Sequence, residues 1–373
     1  MRELRIGEGG LLHRLEAVAR LTSLQRQIVT ALSIIWLPVV VLGLATEALT
    51  GEPEPIIRDV SLHVRALVAT PVLLILDHMF PTACRNTLEQ LVVQGFVPVS
   101  QEPRFELLLR RAARLATAML PELVFALLAF ALGVAALWGM VPVGNLNRAE
   151  RFSAAQIWYV LVDFPFFQFL FWRALWRWAI WARILLGLSR MELALVPAHP
   201  DRRAGVQFLS LPSFDYCAMM LFAVSSVLCA EWRGTLTFET FESFEPVLVT
   251  FAAVAILLAF GPLFCFTPPL MRARRAGLTE SAAVASAFSR RFRREWLEPR
   301  DPDSLPTDLM PLVNITEIYR QTAQRVIPIL FDVRDLVFLL VATLLPVGAV
   351  MLIYIPVEDW RLLFGLLTGG RLM

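Results

Sequence analysis

The chain has 373 residues, of which 57% are hydrophobic and only 18% charged, with a net charge of +2. Soluble domains hold roughly 45–50% apolar residues, so composition points away from an ordinary soluble enzyme or nucleic-acid-binding domain. All 34 basic residues are arginine, which makes every basic contact a permanently charged planar fork suited to phosphate or carboxylate.

Residues 1–27 interleave Arg2, Arg5, Arg14, Arg20 and Arg26 with leucines. The first apolar run starts only at Ile28, too late for a cleavable signal peptide. Leu11–Gln27 reads instead as an amphipathic helix lying on a membrane surface. A bilayer core about 30 Å thick needs roughly 20 apolar helical residues to cross it. Ile28–Thr46 is a first span. His63–Phe80 is a weaker second one, with Arg65 at one end and Asp77 and His78 at the other. It exits through Phe80-Pro81. In the excursion 81–118, Phe105–Ala118 sets Arg110, Arg111 and Arg114 opposite Leu107, Leu108 and Leu115, the pattern of a second surface helix. The third span lies near 119–141 and contains the 21 uncharged residues Leu123–Val143.

The fourth span, near 156–172, is interrupted by Asp163. A carboxylate at the centre of a membrane helix costs about 2.5–3.5 kcal/mol on insertion scales, and such residues face a protein interior or a water-filled cavity. Pro165 deprives the Leu161 carbonyl of its helical donor, so a cation or a proton relay could use this point. The span runs into Trp172-Arg173-Ala174-Leu175-Trp176-Arg177-Trp178, a stretch that suits a membrane interface. Arg173 and Arg177 are one turn apart and share a face, which fits an anion or a lipid phosphate.

His199-Pro200-Asp201-Arg202 follows. A proton-sensing or anion-binding gate is one reading of this loop, since His199 belongs to the residue type that titrates near neutrality. An ordered turn capped by Asp201 is the other. Trp172-Arg173-x-x-Trp176-Arg177, then Leu193-x-Leu195, His199-Pro200-Asp201 and Gly205-x-x-Phe208-Leu209, resembles an uncharacterised family of bacterial polytopic inner-membrane proteins. That family carries a tryptophan/arginine-rich helix and then an H-P-D-x-x-G loop. The resemblance covers about 40 of the 373 residues. This chain has Ala204-Gly205-Val206 where a double glycine and leucine are typical. The resemblance implies a bacterial membrane protein and no particular activity.

Span five, near 212–230, carries Asp215 close to its start. Span six, near 246–270, lies in the 26 uncharged residues Pro246–Met271, and span seven, near 336–355, in the 22 uncharged residues Leu336–Val357. Between them, Thr279–Leu297 is expected to be a helix ending in Arg290, Arg291, Arg293 and Arg294, which would attract anionic lipid. A proline-rich loop at 298–311 and a capping box at Asn314–Glu317 follow. The order helix, acidic loop, helix, long excursion, helix occurs over spans one to three and again over spans five to seven, the form of a parallel duplication.

With the N-terminus inside, 27 of 34 arginines fall on the inner side, as the positive-inside rule requires. The expectation is an all-α polytopic inner-membrane protein with about seven spans, an outer C-terminal tail at 356–373 and cytoplasmic surface helices. No cofactor or metal site is expected, since the four histidines and four cysteines show no ligand spacing. The expected function is an ion or proton channel or small-solute transporter, with a polar pathway at Asp163, Asp77, His78 and Asp215. The alternative is a non-transporting scaffold or signalling component that binds lipid and a protein partner through basic helices. An intramembrane enzyme stands further back. Expected partners are anionic lipids, a second copy of the chain and a cytoplasmic protein, but no nucleic acid. The long uncharged runs are expected to be lipid-facing walls, and the interrupted second, fourth and fifth spans to carry the chemistry.

Overall fold

A computed structural model describes residues 23–138, 140, 152–232, 241–294, 327 and 329–354. Among them the fold is all-α, without a strand. Helix α1 is Leu24–Thr50, capped by the Ser23 hydroxyl, which accepts the Arg26 N–H at 3.3 Å. Helix α2 is Val60–Val93, started by the Asp59 carboxylate on the Ser61 N–H at 3.0 Å. Helices α3, Glu102–Ala116, and α4, Met119–Leu137, follow. Helix α5, Ala154–Ser189, begins at a Ser153/Gln156 capping box. Then come α6, Leu211–Trp232, and α7, Phe241–Phe260. A 3-10 turn at Gly261–Phe266 leads into α8, Thr267–Phe292, and α9 is Val333–Tyr354.

Six helical stretches are long and apolar enough to cross a membrane, which makes the protein a polytopic membrane protein. Helix α9, where the seventh span is expected, adds 22 helical residues. Side-chain contacts fix how the helices run. Tyr159 of α5 meets Arg65 of α2, and Arg173 meets Asp77, so α2 and α5 run the same way. Tyr216 of α6 bonds the Ala174 carbonyl while Glu231 reaches Arg65, so α6 runs against them. Glu122 of α4 lies on Arg173 and Gly133 lies on Pro165, so α4 also runs against α5.

The best apolar windows of α1, of α3–α4 and of α7–α8 are only 17%, 22% and 22% buried, against 50%, 56% and 72% for α2, α5 and α6. The helices with the cleanest apolar runs therefore form the outer wall. The interrupted ones form the centre, around Leu73, Leu74, Phe167, Leu170 and Leu221.

The second span is expected to exit at Phe80-Pro81, and the helix that carries it, α2, continues through Pro81 to Val93. The surface helix at 105–118 is α3, and its buried stripe is Phe105, Leu109 and Ala112; Leu107 points outward and is 45% exposed. Most of the amphipathic segment Leu11–Gln27 lies outside the described residues. So do Trp296, the proline-rich loop, the Asn314 capping box and the C-terminal tail.

Candidate functional site

Two buried ion clusters tie α2 and α5 together with opposite polarity. In the first, α2 supplies the cation. Arg65 is 3% exposed and donates to the Tyr159 hydroxyl and, at 2.6 Å, to Glu231 Oε1 of α6. Its guanidinium also lies 5.3 Å from the ring centres of Tyr159 and Phe164. Asp163 of α5 is fully buried within electrostatic range of Arg65. Neither Asp163 oxygen accepts a hydrogen bond among the described residues.

The backbone explains how these groups meet. Both helices are π-helical here, over Arg65–Ala69 and Tyr159–Asp163. The Thr70 N–H bonds the Arg65 carbonyl and the Phe164 N–H bonds the Tyr159 carbonyl, each five residues back. A proline follows each turn, Pro71 and Pro165. Proline cannot donate and crowds the preceding turn, and a single π-turn absorbs that crowding. In this register the Pro165 ring nitrogen stands five residues after the Val160 carbonyl and cannot donate to it. Gly133 of α4 packs directly on it: a Cβ there would lie 2.6 Å from the Val160 oxygen and 2.9 Å from Pro165 Cγ. Small residues permit such close approach between membrane helices.

In the second cluster α2 supplies the anion. Asp77 Oδ1 accepts from Arg173 Nε at 2.9 Å and Arg177 Nη1 at 2.7 Å, and Arg173 Nη1 lies 2.8 Å from Glu122 Oε1. Arg173 is 2% exposed and Glu122 4%. Pro81 leaves the carbonyl four residues earlier, that of Asp77, without its helical donor. Arg177 Nη1 takes that place at 2.5 Å. Twelve residues separate Arg65 from Asp77, about 18 Å of helix.

The His199 loop is a third constellation, apart from both clusters. Asp201 is its centre. Its carboxylate accepts the backbone N–H of Arg203 at 2.8 Å, Gly205 at 3.0 Å and Gln207 at 3.2 Å. His199 Nδ1 lies 2.9 Å from Asp201 Oδ1 and 3.3 Å from its backbone N. Nδ1 cannot donate to one and accept from the other, and the shorter contact makes it the donor. Burial alone would push the Asp201 carboxyl up; the three N–H groups and His199 outweigh it and hold it below its ordinary value. Buried Arg203 clamps the chain ahead of α9, donating to the carbonyls of Ile329 and Phe331 at 3.0 Å and to Asp332. The backbone is tightly wound, with positive φ at Arg202, Ala204 and Gly205.

The structure thus brings Asp77, Arg173 and Arg177 together and sets Asp163 apart from them. His78 and Asp215 are exposed and belong to neither cluster. Arg290, Arg291, Arg293 and Arg294 are exposed at the end of α8, and Arg202 is exposed on the loop. Reading the sequence missed Arg65, Tyr159 and Glu231. Glu122 was not among the expected site residues either, and Asp77, expected on a polar pathway, is an ion-pair partner of Arg173 and Arg177. One signal was available: the septets Arg65–Pro71 and Tyr159–Pro165 both have Leu-Val at positions three and four and proline at seven. Compared with known proteins, the chain matches no protein-family model, no curated protein and no solved structure.

Proposed function

We propose that this protein is a proton-linked channel or transporter of the bacterial inner membrane, with its N-terminus cytoplasmic and Asp163 as the proton-exchanging group. One charge count carries the reading. Among the described residues the cluster at Asp77 holds two arginines and two carboxylates, Asp77 and Glu122, which balance with no proton added. The cluster at Asp163 holds one arginine against two carboxylates, Asp163 and Glu231. Counted over Arg65, Asp163 and Glu231 alone, it is neutral with one proton aboard. Buried charge without compensation is costly, so proton uptake and release at Asp163 must change how Arg65 is shared between Asp163 and Glu231. Those contacts sit on two π-turns, a local geometry frequent at functional sites. Tyr159 is bonded to Arg65, and Asp59 lies within electrostatic range of Tyr159. Motion at Arg65 would act on α2, α5 and α6 together.

A non-transporting scaffold is the competing reading. It is favoured by the apolar layer of Leu73, Leu74, Phe167 and Leu170 between the two clusters, which a pathway has to cross. The test is proton flux in proteoliposomes after a pH jump. Wild type is expected to exceed empty liposomes, Asp163→Asn to lose the flux, and Asp163→Glu to retain part of it. Equal flux in wild type and Asp163→Asn removes Asp163 from the mechanism. No flux in wild type above empty liposomes favours the scaffold.

A further inference from the structure

Beyond the two clusters, α3 lies against the far end of α5 and leaves a groove of about 700 Å³ between them. Gly187 sets the approach, since a Cβ there would lie 2.5 Å from Leu108 Cδ1. Four arginines line the groove, Arg111 and Arg114 from α3, Arg183 from α5 and Arg190 just past its end, with no acidic residue among its walls. All four are exposed. None forms a salt bridge among the described residues, although the neighbouring Arg110 pairs with Glu106 at 2.8 Å. The spacings explain the convergence: three residues on α3 and seven from Arg183 to Arg190 each return a side chain to one face. Leu115, Ile180 and Ile184 make an apolar floor.

From this arrangement we infer that the groove binds an anionic phospholipid, its phosphates on the four guanidiniums and the start of its acyl chains on the floor. Three observations select that occupant. Four fixed positive charges without an acid call for a ligand of high negative charge. A free phosphate would satisfy the arginines but leave the floor uncovered, whereas a phospholipid matches both. The groove also begins within a turn of Trp176 and Trp181, at the end of the bundle where tryptophan and arginine cluster, the level of lipid headgroups. Four arginines favour a headgroup with two phosphates, of the diphosphatidylglycerol type, over a single phosphate. The inference is independent of whether the protein moves protons.

The test is lipid retention by the full chain, purified from nanodiscs of phosphatidylcholine doped with diphosphatidylglycerol and read by native mass spectrometry. Wild type should retain diphosphatidylglycerol over phosphatidylcholine. Arg111→Gln/Arg114→Gln and Arg183→Gln/Arg190→Gln should each weaken retention about thirtyfold, from roughly 1 kcal/mol per arginine near a charged surface. Arg58→Gln, exposed ahead of α2 at the opposite end of the bundle, should leave it unchanged. All these side chains are exposed, so the variants should fold; elution as wild type on size exclusion checks this, and each double variant tests the groove without the other. Retention equal for the two lipids, or equal in wild type and both groove variants, overturns the inference. So does displacement of the lipid by millimolar inorganic phosphate, which would mark a simple anion site, or an acidic protein bound to these arginines in its place.

Discussion

Asp77→Ala tests whether the central bundle depends on its second ion cluster. Asp77 is the shared acceptor of Arg173 at 2.9 Å and Arg177 at 2.7 Å. Removing it takes from the buried Arg173 and Arg177 guanidiniums the carboxylate they share. Breaking a buried pair by deleting one partner costs about 3–5 kcal/mol. The Asp77 side chain keeps 17% of its surface exposed, so water can partly reach the site and the expected loss is about 3 kcal/mol. Asp77→Asn keeps an acceptor oxygen without the charge and should lose less. Glu106→Ala breaks the Arg110 pair, whose side chains are 74% and 63% exposed, and should cost about 0.3–0.5 kcal/mol. Equilibrium unfolding in mixed micelles, followed by tryptophan fluorescence, compares the three. If Asp77→Ala is no more destabilising than Glu106→Ala, the cluster does not hold α2, α4 and α5 together.

Arg177→Met should cost about 1–3 kcal/mol more in wild type than in a Pro81→Ala background, because alanine restores the backbone donor that the Asp77 carbonyl otherwise lacks; equal costs in the same unfolding assay would show that the 2.5 Å contact contributes nothing. Gly205→Ala should destabilise the His199 loop by about 1–3 kcal/mol, since φ is +92° and a Cβ would lie 2.2 Å from Phe96 Cζ; faster proteolysis between residues 196 and 207 reads the effect, and wild-type resistance would contradict it. The Asp201 carboxyl is held below its ordinary value of 3.8. Its stabilisation of the loop is therefore complete above that pH and is lost only as pH falls through the lower folded value. Hydrogen exchange at Arg203, Gly205 and Gln207, corrected for intrinsic rate, should show constant protection between pH 6 and 4; a decline within that range would refute the assignment.

The legible parts of this protein were those that a short window can contain. An uncharged run of 21 or 26 residues needs no partner to declare itself a membrane helix, and such runs became the outer wall. Asp163 was legible for the same reason, being a carboxylate well inside an apolar segment. Arg65, Glu231 and Glu122 were not, because each sits at the end of an apolar run, where a charge reads as solvated. What brings them their partners is the length of their neighbours: α2 and α5 run 34 and 36 residues, well past the runs that announce them. The charges at those ends therefore meet other helices instead of water. Arg173 and Arg177 showed as a pair, but Asp77 lies 96 residues from Arg173, beyond any local pattern. The reversed polarity of the two clusters follows from the same geometry. Sliding α5 along α2 far enough to bring one cluster to the level of the other would set Arg65 beside Arg173, or Asp77 beside Asp163. Like charges in the core oppose that slip, so the two clusters fix the register of the parallel helices. The Asp77 cluster is charge-balanced and can act as a fixed anchor. The cluster at Asp163 is the one where the proposed proton exchange would act.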